Sequence, residues 1–345
     1  MCSQTTSLMK ATVLRSRNVL EFQDVARPEP GPGQVLVRIT HGGICGTDLK
    51  ICEGSISVRY PLIPGHELAG TLVSGGDERI RPGARVVVDP VLYCGACSCC
   101  RADLTNLCVQ GMLLGRDRDG GFAEFIAVPR SHVYALPESI QNVEAPLIQV
   151  FTTCLHAQRR IEIFPGQSVA VVGLGVTAQA HVQLAKLRGA HPVIGITRSA
   201  WKRRLAEQLG ADVTLPSGPE GVRGVLDATG GRGADVVIES TGHLPVVTDA
   251  ISMAKPGASL LLFGITTADA GAFPFYQLYF KELKVVNARA AKGEDFEPCI
   301  DLIARGALKL KPLITHVLPM AELGRALEML RAGNDERMKI ILEND

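Results

Sequence analysis

The sequence lacks a surplus of either charge, and it lacks any long apolar run. Lys and Arg number 36 against 35 Asp and Glu, which leaves a formal net charge of +1. No uniform field therefore favours nucleic acid or an anionic membrane as a partner, and we expect a small molecule instead. No stretch approaches the roughly 20 apolar residues that a membrane helix needs. Since the opening residues also carry no basic segment followed by an apolar one, we expect a cytoplasmic protein.

Repeats and low-complexity segments are missing too, whereas apolar residues (46%) and glycine (36) are plentiful in the 345 residues. This composition fits an α/β protein of two domains. Short apolar runs between Pro and Gly predict a β-rich region up to about residue 136. These runs are 35–40, 70–75, 84–89 and 123–129. From about 164 to 264, strand and helix patterns alternate, which predicts a parallel sheet with crossover helices. From about 290 onward, two helical patterns surround one strand-like run.

Cysteine is concentrated in one place, the run YCGACSCCRADLTNLC. Regular spacing and a glycine-containing turn allow four thiolates to close around one ion. The predicted ligands are Cys94, Cys97, Cys100 and Cys108. Four sulfurs suit zinc, and a site with no open position is structural. Cys99 could replace its neighbour Cys100, although the spacing favours Cys100. A group of free or disulfide-bonded cysteines is the alternative.

The segment VAVVGLGVTAQA predicts a dinucleotide site. An apolar strand runs into Gly173 and Gly175, and a helix then opens at about Val176 with Ala178 in the third small position of G-x-G-x-x-A. The first glycine allows a tight turn, the second lets the backbone approach a pyrophosphate, and the helix N-terminus offers N–H donors. A packing turn is the alternative, but the strand-turn-helix context favours the cofactor.

The end of the following strand bears on the choice of cofactor. The sequence there has Thr197 and Arg198, with Lys202 in the next helix, and no acid for a ribose hydroxyl. Arg198 and Lys202 could pair with a 2′-phosphate, so we favour NADP over NAD. A solvated basic helix face is the plainer interpretation. On the nicotinamide side, the strand ends ESTGH and LFGIT offer Thr241, Gly264 and Ile265 as candidate contacts.

A third group of residues lies in the N-terminal region. GGICGTDLK contains Cys45 and Thr47, and PLIPGHELAG contains His66 and Glu67. A thiolate and an imidazole are zinc ligands, and three protein ligands would leave one position open for substrate. Each residue taken singly would be expected to be structural.

Taken together, GICGTD, PGHELAG, CGACSCC with its later cysteine, DGGFAEFIAVP and VVGLGVTA resemble the zinc-dependent medium-chain dehydrogenase/reductase superfamily, the alcohol, sorbitol and threonine dehydrogenase group. The resemblance covers nearly the whole chain in one order. It implies a GroES-like catalytic domain with a Rossmann domain inserted, an active site between them, and a homodimer or homotetramer. The implied limits are 1–157 with a structural zinc lobe at about 90–112, 158–289 for the Rossmann domain, and 290–345 for the return to the catalytic domain.

The resemblance also implies the chemistry. Cys45 and His66 would hold a catalytic zinc, with Glu67 as a direct or intermittent ligand. Thr47 resembles the Ser or Thr that bonds the substrate hydroxyl and passes on its proton, and Asp48 would orient His66. A secondary alcohol or polyol and its ketone would interconvert by hydride transfer to or from NAD(P), with zinc polarising the substrate oxygen.

Two positions depart from the family pattern. Lys50 stands where many relatives have a histidine that carries the proton onward, and lysine is a poor relay at neutral pH. Gln149 stands where Glu, Asp or Cys usually completes the zinc shell. A neutral amide can ligate zinc, but it supplies no negative charge, which should weaken the hold on zinc and make the ion a stronger Lewis acid.

Gln149 is also the support for a rival hypothesis. In this alternative the protein is a zinc-independent NADPH reductase of quinone or enoyl type that keeps only the structural zinc. A non-enzymatic dinucleotide-binding protein is a third possibility, which the presence of Cys45, Thr47, His66 and Glu67 disfavours.

Overall fold

The computed structural model describes residues 7–266, 271, 273–333 and 336–344. The chain divides into two compact units. The first comprises residues 1–150, 292–304 and 310–345, and the second comprises residues 151–291 and 305–309. The domain limits drawn from the sequence after residues 157 and 289 remain predictions. No helix in the described parts of the chain is long and apolar enough to cross a membrane.

Strands dominate the chain up to residue 150. The strands are β1 (Leu8–Ser16), β2 (Val19–Ala26), β3 (Gln34–Gly43), β4 (Glu67–Ser74), β5 (Arg85–Val88), β6 (Val91–Leu92), β7 (Met112–Leu113), β8 (Phe125–Pro129) and β9 (Val133–Ala135). The helices are α1 (Gly46–Cys52), α2 (Ser98–Arg101) and α3 (Leu147–Arg159). The four predicted apolar runs are confirmed as β3, β4, β5 and β8. The hairpin of β1 and β2, in contrast, was not singled out by the sequence pattern.

Strand and helix alternate in the second unit. Its elements are β10 (Val169–Val172), α4 (Val176–Leu187), β11 (Val193–Ile196), α5 (Ala200–Gln208), β12 (Val213–Leu215), α6 (Pro219–Ala228), β13 (Ala234–Glu239), α7 (Leu244–Met253), β14 (Ala254–Leu262), α8 (Phe275–Phe280) and β15 (Lys284–Asn287). All pairings are parallel, in the order β12-β11-β10-β13-β14-β15. All four residues of β10 are buried, as expected for a central strand covered on both faces. The predicted parallel sheet is therefore confirmed.

The strand order of this sheet has a functional consequence. The chain winds outward from β10 to β12, then returns to place β13 on the other side of β10. In such doubly wound sheets, ligands bind outside the carboxyl ends of the strands where the winding reverses. That point lies between β10 and β13.

The tail completes the sheet of the first unit. It forms α9 (Phe296–Ala304), β16 (Ile314–Pro319), α10 (Leu323–Ala332) and β17 (Lys339–Glu343). The first unit's main sheet has the order β16-β17-β3-β4-β5-β9, and β8 also pairs with β3. Its core includes Ile39, Leu68 and Phe122, none of which is exposed. Because β17 and β4 flank β3 on opposite sides, residues distant in sequence meet across β3.

Candidate metal and cofactor sites

Cys45 and His66 are brought together by two chain segments that each lead into a regular element. Cys45 immediately precedes α1, and His66 immediately precedes β4. The buried carboxylate of Asp48 spans both: its Oδ2 accepts a hydrogen bond of 2.8 Å from the Cys45 N–H, and its Oδ1 lies 3.4 Å from His66 Nδ1. Asp48 therefore positions both predicted ligands at once, since it is also the third residue of α1.

The contact with Asp48 decides which nitrogen of His66 can meet a metal. Burial disfavours the imidazolium, but the Asp48 carboxylate and the Cys45 side chain outweigh it and hold the pKa of His66 well above its ordinary value. Since Nδ1 faces Asp48, Nε2 is the ring nitrogen left for an ion. Carboxylate partners of this kind commonly fix the orientation of zinc-bound histidines.

Glu67, in β4, is held by a residue of β17, the strand on the other side of β3. It pairs across from Gly43 in β3, and its Oε2 forms an ion pair with Lys339 Nζ from β17. Lys339 Nζ also donates to the Ile44 carbonyl at 2.8 Å. A Cβ on Gly43 would lie 2.2 Å from Glu67 Oε2 and 3.0 Å from Lys339 Cε. Only glycine leaves room for this pair.

The predicted ligand atoms fit a metal ion. One atom each from Cys45, His66 and Glu67 lies within 4.8 Å of the other two. Sulfur, imidazole nitrogen and carboxylate oxygen are the donors that zinc takes in open sites. Thr47 lies half-buried in the first turn of α1, and Lys50 is half-buried later in the same helix. Gln149 lies partly buried in the first turn of α3, and its role as a ligand stays a prediction.

The cysteine run forms a second group that could hold a metal ion. Ligand atoms of all four predicted cysteines, Cys94, Cys97, Cys100 and Cys108, lie within 4.8 Å of one another. The sulfur-to-sulfur distances are 3.5 Å for Cys97 to Cys100, 3.5 Å for Cys108 to Cys94, 3.9 Å for Cys97 to Cys108 and 4.0 Å for Cys94 to Cys100. A tetrahedral zinc with bonds of about 2.3 Å requires about 3.8 Å between sulfurs. The set therefore fits zinc, and the open choice between Cys99 and Cys100 falls on Cys100.

Backbone amides favour the thiolate form of Cys94 and Cys97 in this four-cysteine segment, residues 94–108, which we call the knuckle. The N–H groups of Cys97 and Cys100 point at the sulfurs of Cys94 and Cys97, at 3.4 and 3.5 Å. N–H donors from Cys100 and Val109 lower the pKa of Cys97 to about 6. Burial acts in the opposite direction on Cys100 and raises its pKa to about 12. Because a metal binds the deprotonated sulfur, the amides favour the metal-binding form of Cys97.

The predicted dinucleotide turn follows β10 in the second unit. Gly173 has a φ of +88°, and a Cβ there would lie 2.2 Å from Thr241 Cγ2. Gly175 caps α4, whose first residue is Val176. Thr177 Oγ1 lies 2.9 Å from Ser240 Oγ, which ties the start of α4 to the segment after β13. The turn and the helix N-terminus thus lie at the reversal point of the sheet, as a pyrophosphate site requires.

The nicotinamide-side segments also converge. The buried carboxylate of Glu239 accepts hydrogen bonds from the N–H of Thr241 at 2.6 Å and from that of Gly242 at 3.1 Å. A Cβ on Gly264 would lie 2.1 Å from Gly242 N, so the two strand-end segments are in direct contact. Ile265 is 70% exposed in the described structure. Thr241, Gly264 and Ile265 are therefore adjacent, and their contact with a cofactor remains a prediction.

The basic residues after β11 differ in what they do. Arg203 donates to the carbonyls of Thr197 at 2.9 Å and Arg198 at 3.3 Å, so it stabilises the turn. Arg198 is exposed, and the ammonium group of Lys202 lies 5.5 Å from the centre of the Trp201 ring. The Lys202 carbonyl accepts a hydrogen bond of 3.0 Å from Gln179 Nε2 of α4. The contact of Arg198 and Lys202 with a 2′-phosphate remains a prediction.

Sequence reasoning missed Lys339. A lysine at the start of the apolar run KIIL predicts the exposed end of an edge strand. In the structure, β17 lies inside the sheet between β16 and β3, and Lys339 is 3% exposed. The signal that could have indicated it is Gly42–Gly43 in β3, because two glycines in a strand mark a close approach of neighbours.

Comparisons with known proteins agree with this architecture. The family described as "Alcohol dehydrogenase GroES-like domain" matches residues 31–138, and "Zinc-binding dehydrogenase" matches residues 174–305. The chain is 31% identical to 2-dehydro-3-deoxy-L-galactonate 5-dehydrogenase of Pseudoalteromonas atlantica, over 95% of this chain and 96% of that protein. It is 28% identical to sorbitol dehydrogenase of Halalkalibacterium halodurans, over 97% and 99% of the two chains.

A solved structure is similar over the same span. A zinc-binding dehydrogenase of Sinorhizobium meliloti, bound to NADP, is 33% identical with a TM-score of 0.90, and the match covers 98% of this chain and 100% of that chain. The GroES-like and Rossmann folds predicted from the sequence are thus confirmed. The chain belongs to the zinc-dependent medium-chain dehydrogenase/reductase superfamily, and it is an oxidoreductase that interconverts an alcohol and a carbonyl compound with a nicotinamide cofactor.

Proposed function

We propose that the protein interconverts a polyol or other secondary alcohol and its ketone, with zinc held by Cys45, His66 and Glu67. The observation that carries the proposal is the convergence of these three ligand atoms within 4.8 Å, with Asp48 contacting two of the three residues. A protein that only bound a dinucleotide would have no use for this arrangement. The relatives that act on sorbitol and on a deoxygalactonate support a substrate with several hydroxyl groups.

The residues around the site have separate tasks in this proposal. A zinc ion bound there would polarise the substrate oxygen, and the nicotinamide would accept or return the hydride. Asp48 keeps the His66 ring turned so that Nε2 is available. Thr47 holds the proton of the substrate hydroxyl, and Lys339 offsets the charge of Glu67. The ion pair with Lys339 thereby holds the buried Glu67 close enough to Cys45 and His66 to act as a ligand.

We propose NADP as the preferred cofactor, with NAD as the alternative. Arg198 is exposed directly after β11, and Lys202 follows in the next helix. Residues 197–203 contain no carboxylate that would repel a 2′-phosphate. The NADP bound to the relative from Sinorhizobium meliloti supports this preference.

Two further proposals concern the protein in the cell. Four thiols at one knuckle need a reducing compartment, which supports a cytoplasmic location. A homodimer or homotetramer follows from the family resemblance, and light scattering of the purified protein would test it.

The proposed zinc centre is tested by counting zinc per chain in protein purified without chelator. We expect about two ions: one in the knuckle and one at Cys45, His66 and Glu67. Cys45→Ser should reduce the count to about one and abolish NADP-dependent oxidation of polyols. Cys99→Ser, which changes a thiol outside both groups, should keep both ions and full activity.

One ion in the wild type, persisting after zinc is supplied, would contradict the proposal and favour the zinc-independent reductase. Gln149→Glu tests whether residue 149 is a zinc ligand. If Gln149 ligates zinc, the added negative charge should slow zinc loss to a chelator; an unchanged rate would place Gln149 outside the zinc shell.

A further inference from the structure

A pocket of the first unit lies beside the segment that leads into His66. It has a volume of about 700 Å³ and opens between residues 57–62 and residues 112–119. Three arginines line it: Arg59, Arg116 and Arg118. Its apolar wall includes Val58, Leu62 and Met112. The pocket thus combines a strip of apolar surface with three guanidinium groups and the two carboxylates of Asp117 and Asp119.

The arginine-bearing segment is fixed directly to the chain that carries the proposed zinc ligands. Asp119 Oδ1 accepts a hydrogen bond of 2.9 Å from the Ile63 N–H, and the Gly120 N–H donates to the Ile63 carbonyl at 2.7 Å. A Cβ on Gly115 would lie 2.7 Å from the nitrogen of Gly65, the residue before His66. One wall of the pocket is therefore continuous with the ligand segment.

The charges in this pocket are not balanced. Arg116 is paired with Asp117, with 2.6 Å between Nη2 and Oδ2, and Asp117 also accepts from the Leu113 N–H at 2.7 Å. Asp119 accepts from the backbone of Ile63. Arg59 and Arg118 are exposed and form no ion pair with any residue in the described ranges. Two guanidinium groups are thus available to one ligand.

We propose that Arg59 and Arg118 bind the anionic end of the substrate, which is a carboxylate of a sugar acid or a phosphate of a polyol phosphate. The inference rests on the proposed alcohol oxidation and adds the substrate class to it. Guanidinium groups present two parallel N–H donors that match carboxylate and phosphate oxygens. Val58, Leu62 and Met112 would contact C–H groups of the bound substrate, and the hydrogen bonds at Ile63 connect this pocket to the segment that carries His66.

The test compares anionic and neutral substrates of the same length. Binding is measured by calorimetry and turnover by NADPH formation, with sorbitol, gluconate and sorbitol 6-phosphate, together with their four- and five-carbon counterparts. Wild-type protein should prefer one anionic series over the neutral one. Each of Arg59→Gln and Arg118→Gln should lower kcat/KM and affinity for that series about tenfold to hundredfold more than for the neutral series. The aldonate and phosphate arms distinguish the two anions.

Arg81→Gln is the matched control, because Arg81 is an exposed arginine of the same unit outside this pocket. It should retain the preference for the anion. The proposal is overturned if the wild type binds neutral and anionic compounds equally, binds neither, or keeps its preference in the Arg59→Gln/Arg118→Gln variant. Failure of the dehydrogenase function gives a different result: no alcohol is oxidised by zinc-loaded protein, whereas calorimetry still shows the arginine-dependent preference.

Discussion

Lys339 and Glu67 form an ion pair whose side chains are only 4% and 2% exposed. Removing one partner of such a pair leaves an uncompensated buried charge, which typically costs about 3–5 kcal/mol. We expect Lys339→Met to lower the free energy of unfolding by about that amount in urea denaturation at constant zinc.

The double variant Glu67→Gln/Lys339→Met provides the control. It removes both charges, so it should recover most of the lost stability. If the single and double variants unfold at the same urea concentration, Lys339 does not act through the charge of Glu67. Zinc content should be measured alongside, because Glu67 is also a proposed ligand.

Asp89 makes stability depend on pH. Burial raises the pKa of Asp89 to about 7, the Val91 N–H opposes this rise, and the nearby Asp295 adds to it. An unfolded Asp has a pKa of about 3.9, so the folded state holds the proton more tightly. The resulting stability is complete below pH 4 and is lost as the pH rises through 7. Lowering the pH from 8 to 5 should therefore raise the free energy of unfolding of the wild type by about 2–3 kcal/mol through Asp89.

Asp89→Asn should remove that gain, because the amide is neutral throughout and its oxygen can still accept from Val91. Urea midpoints at pH 5 and pH 8 measure the effect. Asp227→Asn changes an exposed carboxylate and should leave the pH dependence as in the wild type. A pH profile of Asp89→Asn that matches the wild type would show that Asp89 stays ionised in the folded protein down to pH 5.

Between elements, α4 fixes the position of α5. Gln179 is fully buried on α4, and its amide donates to the carbonyl of Lys202 at 3.0 Å. If Lys202 meets the 2′-phosphate, Gln179→Leu should lower the preference for NADP over NAD about three- to tenfold, which is the scale of one hydrogen bond. The ratio of kcat/KM for the two cofactors measures this preference.

Gln183 supplies the control on the same helix. It is also buried, but its amide bonds the backbone of Lys309. Gln183→Leu should therefore lower stability and leave the cofactor ratio unchanged. Equal ratios for the wild type and Gln179→Leu would mean that Lys202 is placed by other contacts.

The elements themselves were largely predictable from the sequence, and the reason is local. The strand β10, the glycine turn and α4 follow one another without interruption, so their pattern is visible in one short segment. The knuckle is equally local, because its spacing fixes which sulfurs can meet. Lys339 is different: it meets Glu67 only because β17 and β4 flank β3, and strand register is not visible in either segment alone. The same holds for Arg59 and Arg118, which share a pocket through hydrogen bonds between separate segments.

At the scale of the whole chain, each unit has its own hydrophobic core. The first unit's core surrounds its main sheet, and the second unit has a core on each face of its parallel sheet. Ligands that bind within one unit should therefore stabilise that unit first. The knuckle and β10 belong to different units.

Hydrogen exchange of the Cys45→Ser variant tests whether the two units are stabilised separately, because this variant should retain only the zinc of the knuckle. We expect a chelator to speed exchange in residues 91–113, where metal binding supplies folding free energy. Exchange in β10 and β13 should not change. NADPH at about 100 times its Kd should stabilise the second unit by about 2.7 kcal/mol and slow exchange in those two strands. If the chelator instead speeds exchange throughout both units, the knuckle supports the whole chain as a single cooperative structure, and the two cores do not unfold separately.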